Sequence, residues 1–344
     1  MTPPMSQASD SAVAPKRQFE PIPLHHPKTV NKGRFQWDYA VGIIGIHLLA
    51  LLVFVPSLFS WAGVVVMVVG VFFFGQGVNL GYHRLLTHRG FKVPRWYEYG
   101  LVVVALCCLQ DTPIKWVTHH RVHHRFSDRE DDPHSPFVNF FWGHMGWLFF
   151  ENRAIATPTA YSTYTKDLLD DRFYRMLERR WWVWNTIYLA HAVLFYLVGF
   201  AIGWASSGVL MEGVTFGLSL LVWGVFARTV LVWHITWSVN SLAHTFGYRT
   251  HYTKEGSTNN WLVGLVAAGE GWHNNHHWDE KSARHGHRWW ELDLTWMHVW
   301  VLEKLGLASD VIRPRKRRAK GESKSAANAE TNAEADADTK AAAE

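Results

Sequence analysis

Cysteine is almost missing from this chain: 344 residues hold two, adjacent at Cys107 and Cys108. That excludes a disulfide-stapled secreted scaffold and a thiolate zinc module, and it leaves iron–sulfur chemistry without ligands. Charge is scarce as well, at 18% Asp, Glu, Lys and Arg, against roughly a quarter in a soluble domain. Where it is missing matters more. The 45 residues between Asp38 and Arg84 contain none. Neither does Trp181–Met211, and Gly213–Tyr248 carries only Arg228. The spans that these runs imply contain no acidic residue.

What is there fits burial in lipid. Apolar residues make up 48% and aromatics 15%, with 20 Trp, so the chain as a whole is not intrinsically disordered. A span needs about 20 apolar residues. The first run therefore predicts two spans, near 39–59 and 61–82, and the later runs two more, near 181–205 and 213–238. The fold class expected is an all-α integral membrane protein, four transmembrane helices in two hairpins under a cytoplasmic helical cap. Five Lys and Arg (Lys16, Arg17, Lys28, Lys32, Arg34) precede the first span, fourteen lie between 81 and 180, and neither hairpin turn has any. Both termini and the long middle segment are thus expected in the cytoplasm.

Residues 1–36 read as a disordered tail, 37–312 as the membrane domain, and 313–344 as a basic and then low-complexity disordered tail. The apolar run Tyr99–Gln110 is too short to span and reads as a re-entrant or interfacial helix. Trp289–Leu305 suits a helix lying on the membrane surface, and the basic run 313–318 suits anionic lipid heads or simple solvation.

Histidine, 21 copies, carries the chemistry. Three clusters stand out: His83-Arg-Leu-Leu-Thr-His88, His120-Arg-Val-His123-His124 and His273-Asn-Asn-His276-His277. The last two share a spacing for which composition predicts roughly 0.07 chance matches, so two matches are a motif. Residues three or four apart share a helical face, so each such cluster can aim several imidazoles at one point. The topology brings all three clusters to one side of the membrane. Eight histidines exceed the needs of one metal. Di-iron bundles built on carboxylates use paired Glu-x-x-His repeats; here only Glu270-Gly-Trp-His273 matches, so the site should be histidine-rich and carboxylate-poor. Imidazole suits iron, zinc, copper and nickel.

His25, His26, His47, His191, His251, His285, His287 and His298 read as surface or satisfied core residues. His119 falls off the shared face of its cluster, and His134 and His144 read as supporting residues. Asp128, Glu130, Asp131, Asp132, Glu270 and Asp279 lie beside the clusters, where some can accept the second ring N–H of a ligand histidine.

The stretches GYHRLLTHRGFKVP, QDTPIKWVTHHRVHHRFSDREDDPHSP, RTVLVWHITWSVNSLAHTFG and GEGWHNNHHWD resemble the membrane fatty acid desaturases, in particular the Δ9 group of stearoyl-CoA and bacterial acyl-lipid enzymes. The resemblance covers about residues 38–312. It implies two irons held by His83, His88, His120, His123, His124, His273, His276 and His277, with His244 as a ninth ligand and Asn240 holding a metal-bound water. It implies a closed, bent acyl tunnel with Gln110, Thr236 and Trp237 at the bend and Trp116 in its wall. It gives Arg228 a counterpart without a role. The sequence departs from many relatives at Trp278-Asp279-Glu280, where they carry Phe-Pro, in a loop expected near the substrate head. No His-Pro-Gly-Gly haem motif occurs, so electrons are expected from an external ferredoxin or cytochrome b5 type donor.

The reaction implied is O2-dependent insertion of a cis double bond, at Δ9, into a saturated acyl-CoA or acyl-lipid. No acid or base can remove hydrogen from an unactivated methylene, so metal and O2 must supply the oxidising power. Lys115, Arg121, Arg125 and Arg129 are candidates to meet an anionic head group. Two other readings compete: a related di-iron hydroxylase of alkanes, sterols or carotenoids, and a metal transporter or sensor. The transporter would carry ligands and acids along its spans, which this pattern lacks.

Overall fold

The computed structural model describes residues 19–315. In chain order, strand β1 (Val30–Phe35) leads into helix α1 (Trp37–Ala50). Helix α2 (Trp61–Gln76) runs on through π-helical turns at Gly77–Thr87. Helices α3 (Arg95–Leu106), α4 (Pro113–Phe126) and α5 (Phe140–His144) follow, then strand β2 (Phe150–Asn152) and helices α6 (Pro158–Tyr164), α7 (Lys166–Leu169) and α8 (Arg172–Arg179). Helix α9 (Trp181–Ser207) turns back into α10 (Leu210–Leu221), which passes through π-helical turns at Val222–Ala227 into α11 (Arg228–Thr245). Short helices α12 (Trp261–Val266) and α13 (His273–Trp278) precede α14 (Leu294–Lys304).

Four helical stretches are long and apolar enough to cross a membrane: Trp37–Phe54, Trp61–Thr87, Trp181–Ser207 and Leu210–Thr245. The first stops short of the expected end at 59, because Pro56 interrupts the helix. The second and fourth run past their expected ends, and the added turns carry His83 and His244. At about 1.5 Å per residue these two exceed the roughly 30 Å apolar layer, so their ends rise out of it into the cap. Two crossings in each hairpin bring residues 88–180 and 246–315 to one side.

The second hairpin closes on glycine. Gly199 and Gly203 on α9 face Gly213 and Gly217 on α10, and a Cβ on Gly199 would lie 2.9 Å from the Gly217 Cα. Paired small-xxx-small motifs of this kind let helix backbones touch in lipid, where packing replaces hydrophobic drive. Gly77 does the same where α2 crosses α3: a Cβ there would lie 2.8 Å from the Ala105 Cα.

The fold is helical as expected, apart from one short ribbon in which β1 and β2 pair antiparallel, with Val30 opposite Asn152. One expectation needs correction: not all of 1–36 is a loose tail. Residues 19–36 are ordered, tied by Leu24 N–H to the Phe137 carbonyl at 2.9 Å and by the strand itself. Residues 1–18 and 316–344, on which the rest of the tail expectations fall, lie outside the described residues. At the start of the basic run, Arg313 pairs with Glu303 and Arg315 with Asp279. The apolar run at 99–110 falls on the later part of α3 and the turn after it, and the Trp-rich run at 289–305 contains α14, whose Met297, Trp300 and Val301 are exposed.

Candidate metal centre and acyl cavity

Helix α4 supplies the middle cluster. Thr112 caps it by accepting from Lys115 N–H, and Pro113 occupies the first turn. His120, His123 and His124 then fall at helical spacing. His83 and His88 are five apart, which an α-helix would turn away from one another. The π-helical turns resolve this: His88 N–H donates to the His83 carbonyl at 3.2 Å, five residues back, and the two rings come to 4.8 Å. Such turns are rare and collect at functional sites. Short α13 carries His273, His276 and His277.

The nine histidines converge into two sets. His83, His88, His120, His124 and His276 each bring a ring nitrogen within 4.8 Å of one another, and His123, His244, His273 and His277 form the second set. In the first, Nε2 of His83, His276, His124 and His120 follow one another at 3.2, 3.0 and 3.1 Å. In the second, His244, His273 and His277 Nε2 follow at 3.1 and 3.0 Å. Asn240 belongs to neither set; it lines the cavity beneath them.

The far side of three rings fixes their tautomers. His83 Nδ1 donates to Glu270 at 2.5 Å, His123 Nδ1 to Asp132 at 3.0 Å and His244 Nδ1 to Asp128 at 2.8 Å. In the neutral rings, Nε2 is then a lone pair aimed inward. Lone pairs about 3 Å apart repel unless a cation lies between them. Two nitrogens at right angles, each about 2.1 Å from one cation, would be about 3.0 Å apart, so the observed edges fit metal-sized gaps. His88 Nε2 is buried without a hydrogen-bond partner, as an uncommitted ligand atom would be. The donor set, nine imidazoles in groups of five and four, suits two first-row metal ions such as iron.

Burial pushes His88, His120, His123, His273, His276 and His277 well below the usual imidazole range, with neighbouring rings adding to it. They therefore stay neutral, the state in which imidazole binds metal. Burial would raise Glu270, but Arg84, His83 and His285 together hold it well below the carboxylate range. Arg84, 1% exposed, bridges Glu270 and Asp293 at 2.9 Å each.

Beneath the histidines lies a cavity lined by Leu109, Gln110, Trp116, Trp233, Thr236 and Trp237, among others. The three residues expected at the acyl bend, Gln110, Thr236 and Trp237, and Trp116, expected in the tunnel wall, thus line one cavity. Trp116 Nε1–H donates to Gln110 Oε1 at 3.4 Å, Gln110 Nε2–H to Thr236 Oγ1 at 2.9 Å, and Thr236 Oγ1–H to the Val232 carbonyl at 2.9 Å. The polar groups satisfy one another and leave an apolar wall.

The turn that presents Gln110 is strained: Leu109 and Asp111 both have positive φ, 50° and 64°. It is clamped from four sides. Tyr39 and Tyr82 bond Asp111 at 2.6 and 3.1 Å, Trp233 bonds the Cys108 carbonyl at 2.7 Å, and Arg228 bonds the Cys107 carbonyl at 2.9 Å. Arg228, for which the sequence offered no role, is fully buried. It has no carboxylate partner among the described residues and pairs instead with His191 Nε2 at 2.8 Å, the Gly224 carbonyl in the π-turns at 3.2 Å and the Phe74 ring.

Sequence reasoning missed other roles. His285, read as a core or surface histidine, is buried with its Nδ1 3.3 Å from Glu270 and its ring 4.3 Å from His276. His191 is the Arg228 partner. His47, His234 and His144 form a hydrogen-bonded chain that ends on Ser241, at 3.0, 2.9 and 2.9 Å. His134 stacks on His123, and His119 packs on Trp147.

The four cations proposed for a head group do not act together. Lys115 sits 3.8 Å from Asp111. Arg121 is spent on Asp167 and the carbonyls of Leu86, Thr87 and Tyr164. Arg125 and Arg129 line a separate polar cavity over His124 and His277. The Trp278-Asp279-Glu280 loop is at this second cavity, away from the bend: Trp278 stacks on His251 and Glu280 lies 3.5 Å from His124 Nδ1.

Comparison with known proteins agrees with this reading of the fold. The fatty acid desaturase family model matches residues 33–311. The sn-1 stearoyl-lipid 9-desaturase of Anabaena variabilis is 43% identical over 284 residues, 82% of this chain and 96% of that protein. The sn-1 stearoyl-lipid 9-desaturase of Synechocystis sp. is 42% identical over 81% of this chain and 80% of its own length. The acyl-CoA C20 Delta5-desaturase of Anemone leveillei is also 42% identical, over 78% of this chain and 80% of its own.

Proposed function

The chain belongs to the fatty acid desaturase family, and from that premise we propose that it inserts a cis Δ9 double bond into a saturated acyl chain. It is an oxidoreductase and an integral membrane protein by the same kinship. We assign the nine histidines to two irons, O2 as co-substrate, an external electron carrier, and a cytoplasmic face for the site and both termini.

One observation carries the reading: two sets of inward-facing imidazoles lie over a cavity that holds Gln110, Trp116, Thr236 and Trp237. Irons bound there would supply what no side chain has, O2-dependent oxidation of an unactivated C–H bond. The protein's own residues do the rest. His83, His123 and His244 are oriented by Glu270, Asp132 and Asp128. The Gln110–Thr236 bond sets the bend, so that one carbon pair of a chain lying in it faces the histidines. Trp116, Trp233 and Trp237 exclude water and fix the chain's path, where placement at the ångström level carries much of the rate. Removing two hydrogens while reducing O2 to two waters needs two further electrons and two protons; we assign the electrons to the carrier.

The test is expression in a host that has ferredoxin or cytochrome b5 donors but makes no Δ9 unsaturates, with fatty acids profiled by gas chromatography–mass spectrometry. New cis-9 monoenes, absent with His120→Ala, are expected. Hydroxylated products instead would move the assignment to a hydroxylase. No product from a chain that binds no iron would sink the metal assignment.

A further inference from the structure

Arg228 lies inside the fourth apolar stretch, Leu210–Thr245, and is 0% exposed, yet no carboxylate among the described residues pairs with it. Charge in such a place is costly, and where it persists it does something.

The space around it is built for it. A Cβ on Gly70 of α2 would lie 3.2 Å from the Arg228 Cγ, so glycine leaves room for the side chain. Phe74, one turn further along α2, turns its ring to the guanidinium at 4.2 Å. His191 Nδ1–H donates to the Tyr188 carbonyl at 3.1 Å. Its Nε2 is therefore the acceptor that takes Arg228 Nη2 at 2.8 Å. Nε donates back to the Gly224 carbonyl at 3.2 Å. With these donors committed, Nη1 is aimed at the Cys107 carbonyl, 2.9 Å away.

That carbonyl marks the place where the chain leaves α3, since Cys107 is the C-cap. The strained turn with Leu109, Gln110 and Asp111 follows at once, with φ of 50° at Leu109 and 64° at Asp111. Helix α11 meets this turn in order. Arg228 holds the Cys107 carbonyl, Trp233 the Cys108 carbonyl and Thr236 the Gln110 amide, at 2.9, 2.7 and 2.9 Å. Three contacts that ascend along both segments fix how far along the helix the turn sits. The same helix carries His244, about 12 Å beyond Thr236 along the axis. A slip of the turn by one residue's rise, about 1.5 Å, is comparable to the advance of an acyl chain by one methylene. Trp233 and Thr236 also line the bend cavity, whereas Arg228 does not. Arg228 can thus act on the acyl chain only through the turn.

We propose that Arg228, locked by His191, is a positioning residue: it sets the register of the 107–111 turn on α11, and through it which carbon pair lies before the histidines. This rests on the desaturase reading above.

The test uses the host described above, with double-bond position read from dimethyl disulfide adducts, and iron content and the unfolding midpoint measured on the purified full-length protein. Arg228→Met removes every donor. Exchanging a buried cation that lacks a carboxylate for an apolar side chain should leave the unfolding midpoint near that of the wild type, and iron content should hold. The ratio of Δ9 product to its flanking isomers should fall by about 10- to 100-fold, the effect of misplacement at the ångström level. Arg228→Lys returns a single point donor and should recover part of that ratio. His191→Phe keeps the arginine but removes its lock; the ratio should fall by about 2- to 10-fold, the effect of one hydrogen bond.

Gly203→Ala controls for plain destabilisation. Its Cβ would lie 2.7 Å from the Glu212 carbonyl in the α9–α10 hairpin, so the midpoint should fall while the isomer ratio stays the same. An unchanged ratio in folded Arg228→Met would overturn the proposal, as would an equal fall in Gly203→Ala. If Arg228→Met does not accumulate as folded protein, His191→Phe decides: a lower ratio supports the proposal and an unchanged one overturns it. Monoenes that keep one position in every variant sink this proposal alone. Wild-type cells that make no monoene sink the desaturase reading and this proposal with it.

Discussion

Asp128 and His244 are joined at 2.8 Å, Oδ2 to Nδ1, although 116 residues separate them. Asp128 sits just beyond α4 with positive φ, 56°, and it also accepts from Gly256 N–H at 2.7 Å and Ser135 Oγ–H at 2.8 Å. One carboxylate thus ties the end of the middle cluster to the last span and to the loop before α12. Burial raises its pKa, but His244 overcomes this and holds it below the usual carboxylate range. Asp128→Asn can no longer fix the His244 tautomer. It should lower affinity for metal at the set of four by about 10- to 100-fold, the usual cost of losing such a partner, while the set of five keeps its ion. Iron per chain, measured by mass spectrometry after dialysis, should fall from about two towards one. An unchanged content would mean that Asp128 only supports the fold.

That bond also shows what a sequence can and cannot reveal. The four spans were legible because about 20 residues without charge is a requirement of the bilayer itself. His120, His123 and His124 were legible because helical spacing alone puts them on one face. His83 and His88 were legible as a pair but not as a geometry, since only the π-helical turns bring their rings together. His244 was legible only through family resemblance; alone, it differs from a core histidine by sharing a helix face with Trp237 and Asn240. Asp132 and Glu270 were legible as acceptors beside the clusters, but which ring each meets, and the approach of His285 to Glu270 and His276, come from tertiary contacts. Strand β1 was lost in a polar, Pro-containing segment because its partner lies more than 110 residues away.

Glu270 serves two masters, accepting from His83 Nδ1 and, on its other oxygen, from Arg84 at 3.0 Å. Glu270→Ala leaves buried Arg84 with Asp293 as its one carboxylate partner among the described residues, beside the Ala283 carbonyl. Breaking a buried pair from one side costs about 3–5 kcal/mol. Thermal unfolding of the metal-free protein in detergent should therefore show a clear drop in midpoint. Glu270→Gln, which keeps an acceptor for Arg84, should lose less stability than the alanine variant but as much metal affinity. Equal stability losses for both variants would remove the special role of the Arg84 contact.

Acid should destabilise the metal-free protein. Burial pushes His119 down to about 4 and His134 to about 3, and the cluster histidines outside the spans well below their usual range. An unfolded chain takes up these protons near pH 6.5, whereas the folded one does not until far lower. Between about pH 6.5 and 4 the unfolded state binds more protons, so stability falls as pH falls. The unfolding midpoint should decline steadily from pH 7 to 5. Bound metal, which competes with protons for the same nitrogens, should blunt the decline. A midpoint flat across this range would mean that the rings are hydrated and the site open.

Thr236 is the hinge of the bend, since it accepts from Gln110 and donates to the Val232 carbonyl on its own helix. Thr236→Val keeps the volume and removes both bonds. Gln110 Nε2 would then be left in an apolar cavity, a loss of about 1–3 kcal/mol, and the side chain would swing to find another acceptor. The metal sites do not touch Thr236, so iron content should stay at the wild-type level. What should change is placement. An acyl chain no longer pinned at one bend presents more than one carbon pair to the histidines. Monoene yield should drop by about tenfold or more, and the remaining product should spread over neighbouring positions, read by mass spectrometry of dimethyl disulfide adducts. A single Δ9 product at reduced yield would instead assign regiochemistry to the tryptophan walls, Trp116 and Trp237, and leave the Gln110–Thr236 bond a matter of stability alone.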